Sequence, residues 1–251
     1  MASPSRSFLL SCFAGFYEEV ARIKLAAHSG GLVRLLQPDA PHEQLAPHDL
    51  AERVAKRLIG VLESQQRQVA KATPAEQKAY KDTRYVMVAL ADEIFILNLP
   101  WPAAEHWPDH LLEYTFYRTR IAGRQFFTYV QGLIDSRDRS PLDADFAAVL
   151  LLSMQLGFQG MYRGGEDGRD ALHALRAKLY PIATQAQGNG DAYMFPQAYE
   201  YTVISNHDNT RVALAPWLRA LAYGALVYLL VSSIVWWALT QSLLNVIKEA
   251  A

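Results

Sequence analysis

Two adjacent carboxylates interrupt a strongly apolar stretch of the sequence. Asp92 and Glu93 lie within residues 85–101 (YVMVALADEIFILNLPW), where solvated charges are not expected. Consecutive helical residues point about 100° apart, so the two side chains cannot share one narrow seam, and at least one must reach an edge or groove. Buried charges require compensation. Three roles stay open for the pair: structural pairing, binding of a partner, and catalysis.

The structural role would pair one of these carboxylates with Arg84, Arg118 or Arg120 to orient helices. The binding role would make the pair part of an acidic groove rimmed by large apolar side chains, which offers a partner both charge complementarity and buried area. We predict that Asp92 and Glu93 bind a partner protein, with the structural alternative open.

The residues whose spacing most resembles a metal site include two histidines. His106 and His110 are four positions apart and Glu113 follows three later, a spacing that shares one helix face. Pro108 lies between the histidines and indicates that a helix starts there, so only His110 and Glu113 would share a regular face. His207-Asp208 lies in a polar loop without further ligands. We therefore predict no metal site.

Other catalytic patterns are absent from the sequence. It contains no GxxxxGK[ST], no GxSxG and no HExxH, and Cys12 is its single cysteine. A lone cysteine also fits a reducing compartment. Lys and Arg number 24 against 25 Asp and Glu, so no excess of positive charge favours nucleic acid. We predict a non-enzymatic protein without cofactors and without a nucleic-acid partner.

The elements around these residues read as helices. Capping patterns start at Asp49, Thr73 and Ser140, the last two followed by proline. Glycines at 164, 165 and 168 are interpreted as a loop, and the aromatic residues at 101–129 as core. No strand pattern is sustained. The predicted helices span about 5–36, 49–71, 74–98, 108–120, 123–136, 141–159 and 168–180.

A long apolar segment near the C-terminus predicts a membrane anchor. Residues 220–239 are nearly all apolar and would span about 30 Å as a helix. Arg211 and Arg219 precede the segment and Lys248 follows it, which predicts a cytoplasmic N-terminal side. We expect a helical cytoplasmic domain at 1–184, a linker at 185–216, a single transmembrane helix at 217–244 and a short periplasmic tail at 245–251.

Four stretches of the sequence form a recognisable set: YVMVALADEIFI at 85–96, NLPW at 98–101, LLEYTFYRTRIAGRQFF at 111–127 and LLLSMQLGFQGMYRG at 150–164. Together they resemble the DotU/TssL family of type VI secretion systems, with relatives in type IVb systems. The ordered combination is specific although each piece alone is weak, and the resemblance covers roughly residues 10–245.

The resemblance implies an all-α cytoplasmic domain of two small bundles forming a hook, and no enzymatic activity. It implies an inner-membrane subunit that oligomerises, accompanies an IcmF/TssM-type protein and docks the cytoplasmic baseplate. The alternative function is a membrane-tethered metal-dependent hydrolase using Asp92, Glu93, His106 and His110. Another alternative is an unrelated tail-anchored adaptor.

Residues matching the family signatures follow from the same resemblance. The family's acidic pair corresponds to Asp92 and Glu93, and its glycines are expected to allow close helix approach. Arg163 is expected to bind a carboxylate or a helix end. Arg124 departs from the family, which commonly has an acidic residue there. The structural signature residues are Trp101, Gly123, Phe126, Phe127, Gly157, Phe158, Gly160, Tyr162 and Arg163.

Overall fold

The computed structural model describes residues 7–39 and 45–184, together with Ser232. Apart from Ser232, these residues lie in one compact unit, Met1–Met194. The described part of this unit contains helices and connecting turns and no strand, so the all-helical prediction is confirmed. The predicted transmembrane helix at 217–244, the linker at 185–216 and His207-Asp208 lie outside the described residues.

Eight α-helices form the described part of the chain. They are α1 (Phe8–His28), α2 (Leu32–Leu36), α3 (Pro47–Val69), α4 (Pro74–Glu93), α5 (Leu112–Tyr117), α6 (Ala122–Asp135), α7 (Pro141–Gln155) and α8 (Gly165–Thr184). A π-helical turn, Ile94–Asn98, continues α4, and two 3₁₀ segments cover Ala104–Asp109 and Gly160–Tyr162.

The helix starts test the capping predictions. Thr73 and Ser140 each form a full capping box, with Glu76 and Asp143 returning the hydrogen bond. The Asp49 prediction is wrong, because α3 begins at Pro47 and Asp49 lies in its first turn. An acidic side chain there interacts favourably with the helix dipole without being the cap.

Glycines account for two further differences. The single helix predicted over about 5–36 is interrupted after His28, where Gly30 adopts a φ of 70°. Gly168 does not lie in a loop but inside α8, where an added Cβ would lie 2.2 Å from the Tyr162 carbonyl oxygen. That close approach requires glycine and packs α8 directly against the Gly160–Tyr162 turn.

Helix α7 is the central core element, packing against α1, α4 and α8. Within the described residues, Pro141–Tyr162 is the one stretch whose length and apolar composition would suffice to cross a membrane, and more than half of its apolar window is buried inside the domain. We attribute its composition to this core position, since a helix enclosed by neighbours is apolar on all sides.

The end of α4 is also fully enclosed, and it places the acidic pair. Every residue from Tyr85 to Phe95 is buried. The π-helical turn closes with a hydrogen bond from Leu99 N to Ile94 O, just before Pro100 ends the helix. Trp101 donates its indole N–H to the Phe95 carbonyl at 2.8 Å, which satisfies one of the last free carbonyls of the helix.

Candidate functional site

Asp92 holds the start of α5. Its carboxylate accepts hydrogen bonds from Leu112 N at 3.0 Å, Glu113 N at 2.9 Å and the Trp107 indole N–H at 2.9 Å. Leu112 and Glu113 are the first two residues of α5, whose amides have no partner within the helix. A carboxylate from α4 therefore takes the place of a local cap.

Glu93 holds the Gly160–Tyr162 turn in the same way, by accepting hydrogen bonds from backbone amides. It accepts from Gln159 N and Gly160 N, both at 2.8 Å, and from Arg163 Nη2 at 2.6 Å. The same Arg163 nitrogen also donates to Asn98 Oδ1 at 2.9 Å. Arg163 thereby joins the turn to the end of the α4 extension.

Glu113 is a third buried carboxylate that the sequence reasoning considered only as a metal ligand. It accepts from Ile121 N at 2.8 Å and Ala122 N at 3.1 Å, and so holds the start of α6. The hydroxyl groups of Tyr85 and Thr119 also donate to it. Its sequence signal was the same as that of Asp92, an acidic residue within an apolar run (LLEYTFY).

The three carboxylates together define the carboxylate cluster: Asp92, Glu93 and Glu113. All three are buried, and each of their oxygens accepts at least one hydrogen bond. Burial is the main reason that the pKa of Asp92 rises to about 6, and nearby Glu113 raises it further, while the three donors lower it. The cluster stabilises loop geometry rather than presenting free acceptors.

In the described part of the chain, none of the three arginines considered as structural partners forms an ion pair with Asp92 or Glu93, and the arginine paired with Glu93 is Arg163. Arg84 donates to Gln66 and to the Tyr117 hydroxyl. Arg118 and Arg120 lie over the Tyr114 ring, at 5.2 and 5.3 Å from its centre. Tyr114 itself is 44% exposed, so its assignment to the core was wrong.

The family glycines explain how the turn reaches Glu93. Gly157, with φ at 108°, ends α7, and the hydrogen bonds from Gly157 N to Met154 O and from Phe158 N to Ser153 O form a Schellman motif. This turn directs Phe158 into the core, where it packs on Phe126 with ring centres 4.1 Å apart.

A close backbone contact lies beside this turn. The Cβ of an alanine at Gly123 would be 3.3 Å from Gly160 Cα, and one at Gly160 would be 2.6 Å from Gly123 O. Gly160 also adopts a φ of 49°. The two glycines therefore allow α6 and the turn to touch, as the resemblance implied for such residues. Phe127 and Tyr162 complete this contact with ring centres 4.6 Å apart.

Two surface grooves flank the glycine contact. The carboxylate groove, about 280 Å³, is lined by the carboxylate cluster together with residues that include Ile96, Leu97, Leu111, Arg120 and Arg163. The Arg124 groove, about 520 Å³, is lined by Arg124, Phe127, Thr128, Gln131, Gly132, Met161, Tyr162 and Leu175. Asp92 and Glu93 thus line a groove, although both side chains are buried.

The histidines do not form a metal centre in the described part of the chain. His48 packs its ring edge-on against those of His106 and His110, at centroid distances of 6.0 and 4.8 Å. Glu113 is bonded to backbone amides of α6 instead. Among residues 7–39 and 45–184, no three His, Cys, Asp or Glu side chains are placed to hold a metal ion.

The chain matches a known family over most of its length, from the middle of α1 to the apolar C-terminal segment. Residues 19–240 match the model of a family described as type VI secretion system protein DotU. Comparison with curated proteins and with solved structures gives no match.

Proposed function

Because the chain belongs to the DotU family of type VI secretion proteins, we propose that it docks the cytoplasmic baseplate onto the inner-membrane complex. Family membership makes it a subunit of the type VI secretion membrane complex at the inner membrane, in a family of structural rather than catalytic proteins. The docking role is the further step, and the surface around the carboxylate cluster supports it.

The supporting observation is the position of the exposed apolar side chains. Leu97, Tyr114, Ile121 and Met161 are 41–55% exposed and account for most of the exposed large hydrophobic residues in the described part of the chain. Large apolar side chains that are exposed near one another on a surface are typical of protein interfaces.

Three of these residues lie at or next to a backbone amide held by the carboxylate cluster, and Leu97 lines the carboxylate groove. Ile121 donates its own N–H to Glu113, and Met161 follows Gly160, whose N–H is bound by Glu93. Tyr114 follows Glu113, whose N–H is bound by Asp92. Asp92 and Glu93 thus contribute to partner binding by fixing the segments that carry the contact residues.

The remaining features of the proposed assembly follow from the family resemblance. They are an IcmF/TssM-type partner, homo-oligomerisation and the two-bundle hook. The apolar segment at 220–239 adds a cytoplasmic domain anchored by one C-terminal transmembrane helix at 217–244. Arg211 and Arg219 before the apolar segment favour this orientation. The hydrolase alternative has no observation in its favour, since the carboxylates it requires are bonded to backbone amides.

Binding between the full-length protein in detergent and the baseplate subunits of the same machine tests the docking role. Leu97→Asp introduces a charge at an exposed leucine without disturbing the core, and we expect it to weaken binding at least tenfold, or about 1.4 kcal/mol. Leu25→Asp is the matched control, because Leu25 is 71% exposed on α1. Equal baseplate binding by both variants and the unmodified protein would exclude the proposed surface.

A further inference from the structure

The acidic residues of the carboxylate groove are not available to a basic partner. All carboxylates that line it belong to the buried carboxylate cluster, and each oxygen already accepts from a backbone amide, a hydroxyl, an indole or Arg163. A lysine or arginine of a partner would have to displace buried hydrogen bonds, which is costly because the released amides would remain unpaired.

The charged groups that the groove does expose are arginines. Arg120 lines it and, within the described residues, has no carboxylate within 4 Å, its guanidinium lying over Tyr114 instead. Arg163 is 35% exposed and makes both of its hydrogen bonds through Nη2. Its remaining N–H groups have no acceptor in the described part of the chain, so a carboxylate could bind them.

Apolar contact surface lies beside these arginines. Leu97 is 55% exposed, and Ile96 and Leu111 are half-buried along the same groove. A volume of about 280 Å³ accommodates one or two side chains rather than a whole domain. The chemical complement is therefore a short segment with an apolar anchor and nearby carboxylates.

Resting on the docking function proposed above, we infer that the carboxylate groove binds an acidic, apolar segment of a partner protein, whose carboxylates pair with Arg120 and Arg163. The charges are opposite to those that the sequence suggested, since the groove contributes positive charge and the partner negative charge. Asp92 and Glu93 form the wall, and the arginines in front of them make the contact. Since the pairs would lie at a partly exposed rim, they set specificity and association rate, while the apolar anchor contributes buried area.

The test uses 15-residue peptides tiled across the membrane-complex and baseplate proteins of the same machine, titrated against the full-length protein in detergent. Captured peptides should be acidic and contain a large apolar residue, and their binding should weaken at high salt. Arg120→Glu should reduce binding at least tenfold. Arg137→Glu is the control, since Arg137 is exposed and does not line either groove. Changing the peptide's carboxylate to lysine should restore binding to the Arg120→Glu variant.

The outcomes separate this inference from the docking function. Capture of only neutral or basic peptides, no capture at 100-fold peptide excess, or unchanged binding by Arg120→Glu overturns the inference. If Leu97→Asp still weakens baseplate binding in that case, the docking function stands. If acidic peptides from a membrane-complex protein bind in an Arg120-dependent manner while the baseplate does not bind, the inference stands and the baseplate assignment fails.

Discussion

Glu93 and Arg163 are 70 positions apart in the sequence, and Glu93 Oε1 lies 2.6 Å from Arg163 Nη2. The carboxylate end of this ion pair is 8% exposed and the guanidinium end 35%. One partner is thus fixed in the interior while the other reaches the surface. The pair connects the core helix α4 to the side of the domain where the proposed docking residues lie.

Asp92→Ala should destabilise the fold strongly. The substitution leaves the indole N–H of Trp107 and the amides of Leu112 and Glu113 without their acceptor. Each buried donor without a partner costs about 1–3 kcal/mol, so we expect a loss of roughly 3 kcal/mol or more in the free energy of unfolding. Urea unfolding of the full-length protein in detergent measures it. Glu105→Ala, at an exposed position, should change stability little, and equal effects of the two substitutions would refute the capping role of Asp92.

The raised pKa of Asp92 predicts a pH dependence of stability. The pKa of its carboxyl group rises from 3.8 in the unfolded chain to about 6 in the folded protein. The folded state therefore binds a proton more tightly between these values, so this group's contribution to stability is largest below pH 3.8 and is lost as the pH rises through 6. The loss is at most about 3 kcal/mol.

Asp92→Asn removes this titrating group and isolates its contribution. The difference in unfolding free energy between the unmodified protein and the variant should fall as the pH rises from about 4.5 to 7 and then stay constant. Burial also raises the pKa values of Asp82 and Asp145, but both occur in each protein and cancel. A difference that is independent of pH would contradict the prediction.

Glu113→Gln should loosen the start of α6. Glutamine replaces one carboxylate oxygen by an NH₂ group, which faces donors such as Ile121 N or Ala122 N instead of accepting from them. We expect a loss of about 1–3 kcal/mol and faster amide hydrogen exchange at residues 119–122, measured by mass spectrometry. Glu63→Gln is the control on the exposed side of α3, and unchanged exchange at 119–122 in the Glu113 variant would count against the assigned role.

Gly160→Ala should cost more than the strain of its backbone angle alone. An added Cβ would collide with Gly123 O at 2.6 Å, at a φ of 49°. Gly30→Ala is the matched control, because Gly30 has a φ of 70° but nothing within 4 Å of an added Cβ. Backbone strain should lower the free energy of unfolding of the control by about 1–2 kcal/mol. Gly160→Ala should lower it by clearly more. Similar melting temperatures for the two variants would show that the glycine contact yields without cost.

Local patterns predicted the parts of the fold that local hydrogen bonds determine. The capping boxes at Thr73 and Ser140 involve partners three residues away, and both form. The resemblance identified the acidic pair and the turn glycines. The partners of the acidic pair could not be read from periodicity, because Leu112 is 20 positions from Asp92 and Gly160 is 67 from Glu93. A backbone amide leaves no signature in the sequence, so the sequence could suggest only side chains as partners. Arg163, which the resemblance expected to bind a carboxylate or a helix end, is the arginine that binds Glu93.

The carboxylates differ in how far along the sequence their hydrogen-bond partners lie, and this difference has a kinetic consequence. Glu113 joins segments only eight or nine positions away, whereas Glu93 closes loops of 66 and 67 residues. Closing the longer loop requires more chain entropy to be lost, so we expect the α5–α6 corner to assemble early and the Glu93 contacts to form after the folding transition state. Weakening Glu93 should then accelerate unfolding while leaving the folding rate nearly unchanged. Of the proposed docking residues, Met161 beside the Glu93 contacts would then be released before Tyr114 and Ile121 at the α5–α6 corner.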